Sequence, residues 1–173
     1  IICVRFSYRN TWKYQIEYCS TYSYSDEWIK KLKNAPQLNE KQIRLLDLEY
    51  GILLGEMINH FTQENKIIKT ELDLISSHGH TIFHQPERGI TLQIGDGQSI
   101  SNLTKINVIN NFRAVDVTLG GQGAPLVPIG DQLLFSEYTY CLNLGGIANI
   151  SIKEKDEIKA GDIAFANMVS NDL

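Results

Sequence analysis

Two adjacent glycines, Gly145 and Gly146, interrupt an apolar stretch that runs Leu142-Asn143-Leu144 on one side and Ile147-Ala148-Asn149-Ile150 on the other. With no Cβ at either glycine, backbone N–H groups can converge, which suits an anionic phosphate. A second reactive grouping is Asn111-Phe112-Arg113, with Asp116 three residues on. It follows a short apolar run, and strand ends of that kind gather ligands in α/β proteins. The Arg113 guanidinium suits bidentate capture of a ligand carboxylate. Arg113 and Asp116 equally suit an internal pair that shapes the loop. A third grouping, Gly120-Gly121-Gln122-Gly123-Ala124-Pro125, fits either a close backbone crossing or a rigid pocket wall that offers the Gln122 amide to a ligand.

The histidines are the most ambiguous set. On a strand His78 and His80 face the same side. With His84 and a carboxylate such as Asp96 they have the ligand types of a zinc hydrolase. The bland alternative is a strand end whose histidines bond nearby backbone and line a polar cleft. No cysteine stands at ligand spacing, and no metal site is expected.

These residues need elements to hold them. Residues 1–7 and 12–21 have strand patterning, the second alternating Trp12, Tyr14, Ile16 and Tyr18 with polar residues, and predict a hairpin. Ser25 ahead of Asp26 and Glu27 predicts an N-cap, for a helix that ends before Pro36. Asn39 and Gln42 have capping-box spacing, and Ile43, Leu46, Tyr50, Leu53, Met57 and Phe61 predict one apolar helix face over residues 39–64. Gly51 and Gly55, four apart, let another element approach that helix. Short strands are expected at 72–76, 91–94 and 106–109, and helices at 98–103 and 131–135. A hairpin of 138–143 with 148–152 is expected around the two glycines. The mixture fits an α/β (mixed α+β) class.

The chain has 173 residues, 43% hydrophobic and 21% charged, which predicts a single domain over 1–173 with a sizeable core. A net charge of −4 excludes a basic nucleic-acid surface and an anionic-membrane surface. No apolar run approaches the ~18 residues of a membrane span. Cys3, Cys19 and Cys141 predict buried thiols in a reducing cytoplasm, with a Cys3–Cys19 disulfide as the lesser alternative. The first residue is not Met and lies within a strand pattern, so a truncated chain is expected.

Ser77-His78-Gly79-His80-Thr81, Asn111-Phe112-Arg113, the glycine cluster continuing to Leu126-Val127-Pro128, and Leu142 to Asn149, in this order, resemble the anhydro-N-acetylmuramic acid kinases, sugar kinases of the actin/hexokinase superfamily. The resemblance implies one lobe of a ribonuclease H-like kinase fold with the start of its hinge, the first phosphate loop and the second lobe being absent. It implies ATP and Mg²⁺ as cofactors, a small-molecule amino sugar as partner, a cytoplasmic location, and no nucleic-acid or membrane partner; it leaves a homodimer open. In the implied reaction water opens the 1,6-anhydro ring of anhydro-N-acetylmuramic acid and O6 takes the γ-phosphoryl group, giving N-acetylmuramate 6-phosphate in cell-wall recycling. His78, Thr81, Arg113, Asp116 and Gln122 would contact substrate. Asn143, Gly145, Gly146 and Asn149 would contact phosphate.

The segment from Gly161 to Met168 aligns with the family's F-D-T-G-P-G-N-M. That alignment gives Asp162 the part of the general base and matches Asn167 to the motif's asparagine. Gly161, Ile163, Ala164 and Phe165 depart from it, and Asn111 stands where the family usually has Asp. Those departures are expected to deform the loop or to fill the pocket, and they keep a catalytically degenerate sugar-binding domain as the alternative.

Overall fold

A computed structural model describes residues 1–173 except 125, 156 and 171–173, and only the backbone of 168 and 170. Pro125 of the glycine cluster and the Met168 side chain therefore lie outside the described residues. The architecture is the mixed α/β class expected, and the chain divides into two compact units.

The first unit contains residues 1–3 and 16–123. Its organising element is α2 (Glu40–Glu64), preceded by α1 (Asp26–Asn34). Ser25 caps α1 by accepting from Trp28 N–H. Asn39 and Gln42 close the predicted capping box, each side chain accepting from the other's backbone N–H at 3.0 Å. Leu46, Tyr50 and Phe61 of the predicted stripe are buried, and Leu46 and Tyr50 join Leu32, Ala35, Ile82 and Ile94 in one core.

Two strand pairs lie in this unit. Strands β3 (Ile75–Ser77) and β6 (Val108–Asn110) are parallel, Ile75 opposite Val108 and Ser77 opposite Asn110. Strands β4 (His80–Gln85) and β5 (Ile90–Ile94) form an antiparallel hairpin, with a bulge between Thr81 and Phe83. Helix α3 (Gly97–Thr104) packs on α2 where the glycines allow it. A Cβ at Gly51 would stand 2.6 Å from the Asp96 carbonyl oxygen, and one at Gly55 would stand 2.9 Å from Leu103 Cδ1. Asp47 ties α2 to the β5–α3 turn, accepting from Gly95 N–H at 2.7 Å through its carboxylate and from Asp96 N–H at 3.2 Å through its carbonyl. Burial raises the Asp47 carboxyl above the ordinary range, against the lowering by the Gly95 N–H, and the Asp96 charge adds to the rise.

The second unit contains residues 4–15 and 124–173. Here α5 (Leu126–Leu134) accompanies a three-stranded antiparallel sheet in the order β7 (Tyr140–Leu144), β8 (Ile147–Glu154), β9 (Glu157–Phe165). The hairpin β1 (Ile2–Arg9) and β2 (Thr11–Cys19) has its outer residues in this unit, where the Tyr14 ring meets Phe135 edge-on at 5.8 Å.

Several expectations need correction. The strand expected at 72–76 begins only at Ile75, because residues 69–71 form a 3-10 turn. The four-residue hairpin turn expected at 8–11 shrinks to the bend at Asn10, whose φ of 67° is a left-handed conformation that Asn tolerates. Helix α4 (Ala114–Thr118) and strand β9 were not expected, the first for its shortness and the second for its Gly and Ala content. Cys19 is exposed, and Cys3 and Cys141 are half-buried, so the thiols are not the buried set predicted.

Candidate functional site

In the first unit, the parallel strands β3 and β6 end side by side at Ser77 and Asn110. His78 follows the first end and Asn111, Phe112 and Arg113 follow the second, which is where α/β proteins place ligand-binding groups. The two strand ends are bridged: Arg113 Nε donates to His78 Nε2 at 3.0 Å. Arg113 Nη1 also donates to the Gly123 carbonyl. The Gly123 N–H in turn donates to Asp116 Oδ2 at 2.6 Å. Among the described residues Arg113 and Asp116 form no direct ion pair; they meet through the two backbone groups of one buried glycine.

The Asp116 backbone carbonyl accepts from Gly121 N–H at 2.8 Å. A Cβ at Gly121 would fall 2.3 Å from Asp116 Oδ2, so a side chain there would displace the Asp116 carboxylate. Between these two anchored glycines, Gln122 is exposed. Thr81 is exposed on β4, opposite Gln93, whose amide reaches toward the Thr81 hydroxyl at 3.5 Å. Asn111 has a φ of 57°, again in the left-handed region that a short polar side chain tolerates.

The three clustered histidines go to three different places. His78 bonds Arg113. His80 packs edge-on against buried Tyr50, ring centroids 6.2 Å apart, and burial pushes its pKa down. His84 Nδ1 lies 3.2 Å from the Thr91 hydroxyl. Asp96, the carboxylate considered as a fourth ligand, caps α3 by accepting from Ser99 N–H at 2.6 Å. Gly79 is the reason the H-x-H spacing misleads: its φ of 71° turns the chain, and β4 starts only at His80. Among the described residues no group of three His, Cys, Asp or Glu side chains could hold a metal ion, which leaves the zinc-hydrolase alternative without a ligand set.

In the second unit the Gly-Gly turn joins β7 to β8 as expected. Register places Asn143 opposite Asn149, and Asn149 opposite Asp162. Directly opposed residues of antiparallel strands share a face with Cβ atoms roughly 4.5–5.5 Å apart. Asn143, Asn149 and Asp162 therefore form one polar row across three strands. The β8–β9 register shifts between Ala148 and Asn149: Ala148 pairs with Ala164 and Asn149 with Asp162, which leaves Ile163 as the extra residue of a bulge beside the row's carboxylate.

Both glycine carbonyls of the turn are engaged from the end of β9. Gly146 O accepts from Ala166 N–H at 2.9 Å, Gly145 O accepts from Asn167 N–H at 3.1 Å, and the Asn167 side chain donates to Leu144 O at 3.4 Å. A Cβ at Gly145 would meet only Ile147 O, at 3.6 Å. These departures from the family motif lie on β9, Ile163 as its bulge residue: Ile163 and Phe165 are both exposed, Phe165 at 68%, so among the described residues Phe165 fills no pocket of this unit.

Sequence reasoning missed Gly123 as the point where Arg113 and Asp116 converge, and it missed the row across the sheet. The first had a signal in a glycine seven residues after an acid on a predicted loop. The second needed β9, which sequence patterning did not supply.

The sequence matches the family described as anhydro-N-acetylmuramic acid kinase over residues 4–172. Among curated relatives of that name, the chain is 48% identical to the one from Acinetobacter baylyi over 61% of this chain and 29% of the relative. It is 47% identical to the one from Shewanella oneidensis over 61% of this chain and 30% of the relative. With the one from Bacillus cereus it shares 31% identity over 93% of this chain and 45% of the relative. The chain thus spans less than half the length of each of these relatives.

Proposed function

Because the chain belongs to the anhydro-N-acetylmuramic acid kinase family, we propose that it forms part of a kinase that opens the 1,6-anhydro ring of anhydro-N-acetylmuramic acid and phosphorylates O6 at the expense of ATP. In this reading it supplies one lobe and the start of the hinge of an actin/hexokinase-like fold and works in the cytoplasm on a small amino sugar. The single observation that carries the assignment of roles is the row Asn143–Asn149–Asp162 beside the Gly-Gly turn. It combines one carboxylate, two neutral amides and an uncrowded backbone turn.

Asp162 is the proton acceptor. As water adds to the anomeric carbon and the bond from that carbon to O6 breaks, the Asp162 carboxylate takes the water's proton, which is general-base work. The bulge at Ile163 sets where Asp162 stands relative to the turn. Asn143 and Asn149 donate amide N–H groups along the row, and Gly145 and Gly146 let backbone come close to phosphate oxygens. The reading of a nucleotide phosphate here is supported by the space at Gly145 and by the N–H groups of Ala166 and Asn167 on the two turn carbonyls, which offset part of the carbonyls' repulsion of an anion. When bound, Mg-ATP supplies the phosphoryl group. The protein's part is positioning and electrostatics; Mg²⁺ in such sites keeps several waters and takes only one or two carboxylates. In the first unit, His78, Thr81, Arg113, Asp116 and Gln122 form the sugar-side group.

The test is Asp162→Asn in the protein that carries these residues. The amide keeps size and shape but accepts no proton, so turnover falls about 10²–10⁴-fold while the dissociation constant for the sugar changes little. Turnover close to that of the unaltered protein would assign the proton to another carboxylate.

A further inference from the structure

We propose that His78, Arg113 and Asp116 form a clamp on Gly123 that fixes the loop bearing Gln122, that Arg113 acts there as a positioning residue, and that the clamp requires neutral His78. The loop is held at two points. Gly123 is buried, and both of its backbone polar groups are taken by side chains, its N–H by Asp116 and its carbonyl by Arg113. Gly121 is held by the Asp116 carbonyl, and it lies against the Asp116 carboxylate so closely that a side chain there would displace it. Gln122, between them, is exposed. An exposed residue flanked by two anchored neighbours has little backbone freedom left, which is how preorganisation lowers the entropic cost of binding.

The partners of His78 match one tautomer of its ring. Its Nδ1 lies 3.2 Å from the Gly79 carbonyl, which can only accept, so Nδ1 carries the proton. Its Nε2 faces Arg113 Nε, which can only donate, so Nε2 carries a lone pair. A proton on Nε2 would set N–H against N–H beside a permanent positive charge. Among the described residues, the groups facing His78 are that guanidinium and the Gly79 carbonyl; Asp116 reaches the clamp only through Gly123, and His84 abuts Gly123, where a Cβ would lie 3.2 Å from its Cε1. Two of the five guanidinium N–H donors are committed in this way. That Gln122 meets a sugar rests on the function proposed above; the clamp itself does not.

The experiment uses the ¹⁵N-labelled chain. Long-range ¹H–¹⁵N spectra should show His78 with its proton on Nδ1, and the Arg113 Nε–H should exchange slowly with solvent. His78→Leu removes the acceptor, whereas His78→Gln restores an oxygen near the position of Nε2. Exchange at Arg113 Nε–H and at the Gly123 amide should quicken about tenfold or more in His78→Leu and stay within about twofold in His78→Gln. The Leu46 amide on α2 serves as the control for general loosening. Equal exchange in His78→Leu and the unaltered chain overturns the clamp. Should His78→Leu also loosen Leu46, the tautomer in the unaltered chain decides: a proton on Nδ1 supports the clamp, and one on Nε2 overturns it. Titration with anhydro-N-acetylmuramic acid, read at the Gln122 side-chain amide, tests the sugar contact separately. An unmoved Gln122 signal with the clamp signature intact overturns that contact alone.

Discussion

Replacing Gly79 by Ala sets the value of the turn that separates His78 from His80. Gly79 has a φ of 71°, and a Cβ there would lie 2.2 Å from the carbonyl oxygen of Ile94, a core residue only 1% exposed. Two costs follow. The left-handed conformation costs an L-residue about 1–2 kcal/mol. Forcing a methyl group against fixed backbone adds about 1–3 kcal/mol, by analogy with overpacked cores. Gly89, at the other end of the same hairpin, separates the two costs: its φ is 68°, and a Cβ there would meet nothing within 4 Å. Gly89→Ala should therefore lose only about 1–2 kcal/mol, and Gly79→Ala about 2–5 kcal/mol. Any gain from stiffening the unfolded chain is common to both and cancels. Urea unfolding followed by Trp28 fluorescence reports this unit, because Trp28 packs on Tyr50 with ring centroids 5.6 Å apart; a Trp12→Phe background silences the only other tryptophan. With a slope of about 2 kcal/mol per molar urea, a loss of 3 kcal/mol moves the midpoint by about 1.5 M. Equal losses at the two glycines would refute the collision with Ile94 and, with it, the turn as the reason the histidines diverge.

Two more outcomes can be measured in the same way. Asn39→Ala removes the acceptor for Gln42 N–H and should cost about 1 kcal/mol; no shift in the thermal midpoint would mean that the capping box is not formed in solution. Burial depresses the His80 pKa, so its contribution to stability is present above the ordinary histidine value and is lost as pH falls through the lower folded value. Stability should thus decline as pH falls below the ordinary histidine value of about 6.5, and His80→Gln should flatten that decline; parallel pH profiles would show that His80 is not the group responsible.

The first unit was largely legible in the sequence because its signals are local. Ser25 and Asn39 cap the helices they were expected to cap, and the spacing of Leu46, Tyr50 and Phe61 marks the buried face of α2. Gly51 and Gly55 mark the close approach of α3. Only the same-side placement of His78 and His80 failed, for want of one dihedral angle: that argument holds on a strand, and the conformation of Gly79 ends the premise. Strand β9 was hidden because Ala160, Gly161 and Ala164 lack the β-branched or aromatic character by which strands are recognised. Its pairing with β8 is a long-range matter that local propensity does not encode. The Arg113–Asp116 relation was half legible. Proximity followed from spacing, but the intervening Gly123 backbone could be seen only once the loop had folded back.

The bulge at Ile163 also decides what a change of length in β9 does. Ala148 and Asn149 are consecutive on β8 and face opposite sides, and their partners Ala164 and Asp162, two apart on β9, do the same only because Ile163 stands unpaired between them. Removing Ile163 would therefore straighten the strand and leave Asp162 opposite Asn149 and Ala164 opposite Ala148. A one-residue deletion between Glu157 and Asp162 has the opposite effect, because it slips the register and sends every side chain on one side of the change to the other face. The position of the carboxylate in its row thus depends on the number of residues that precede it on β9, whereas the bulge is a place where that number can change by one without turning the carboxylate away.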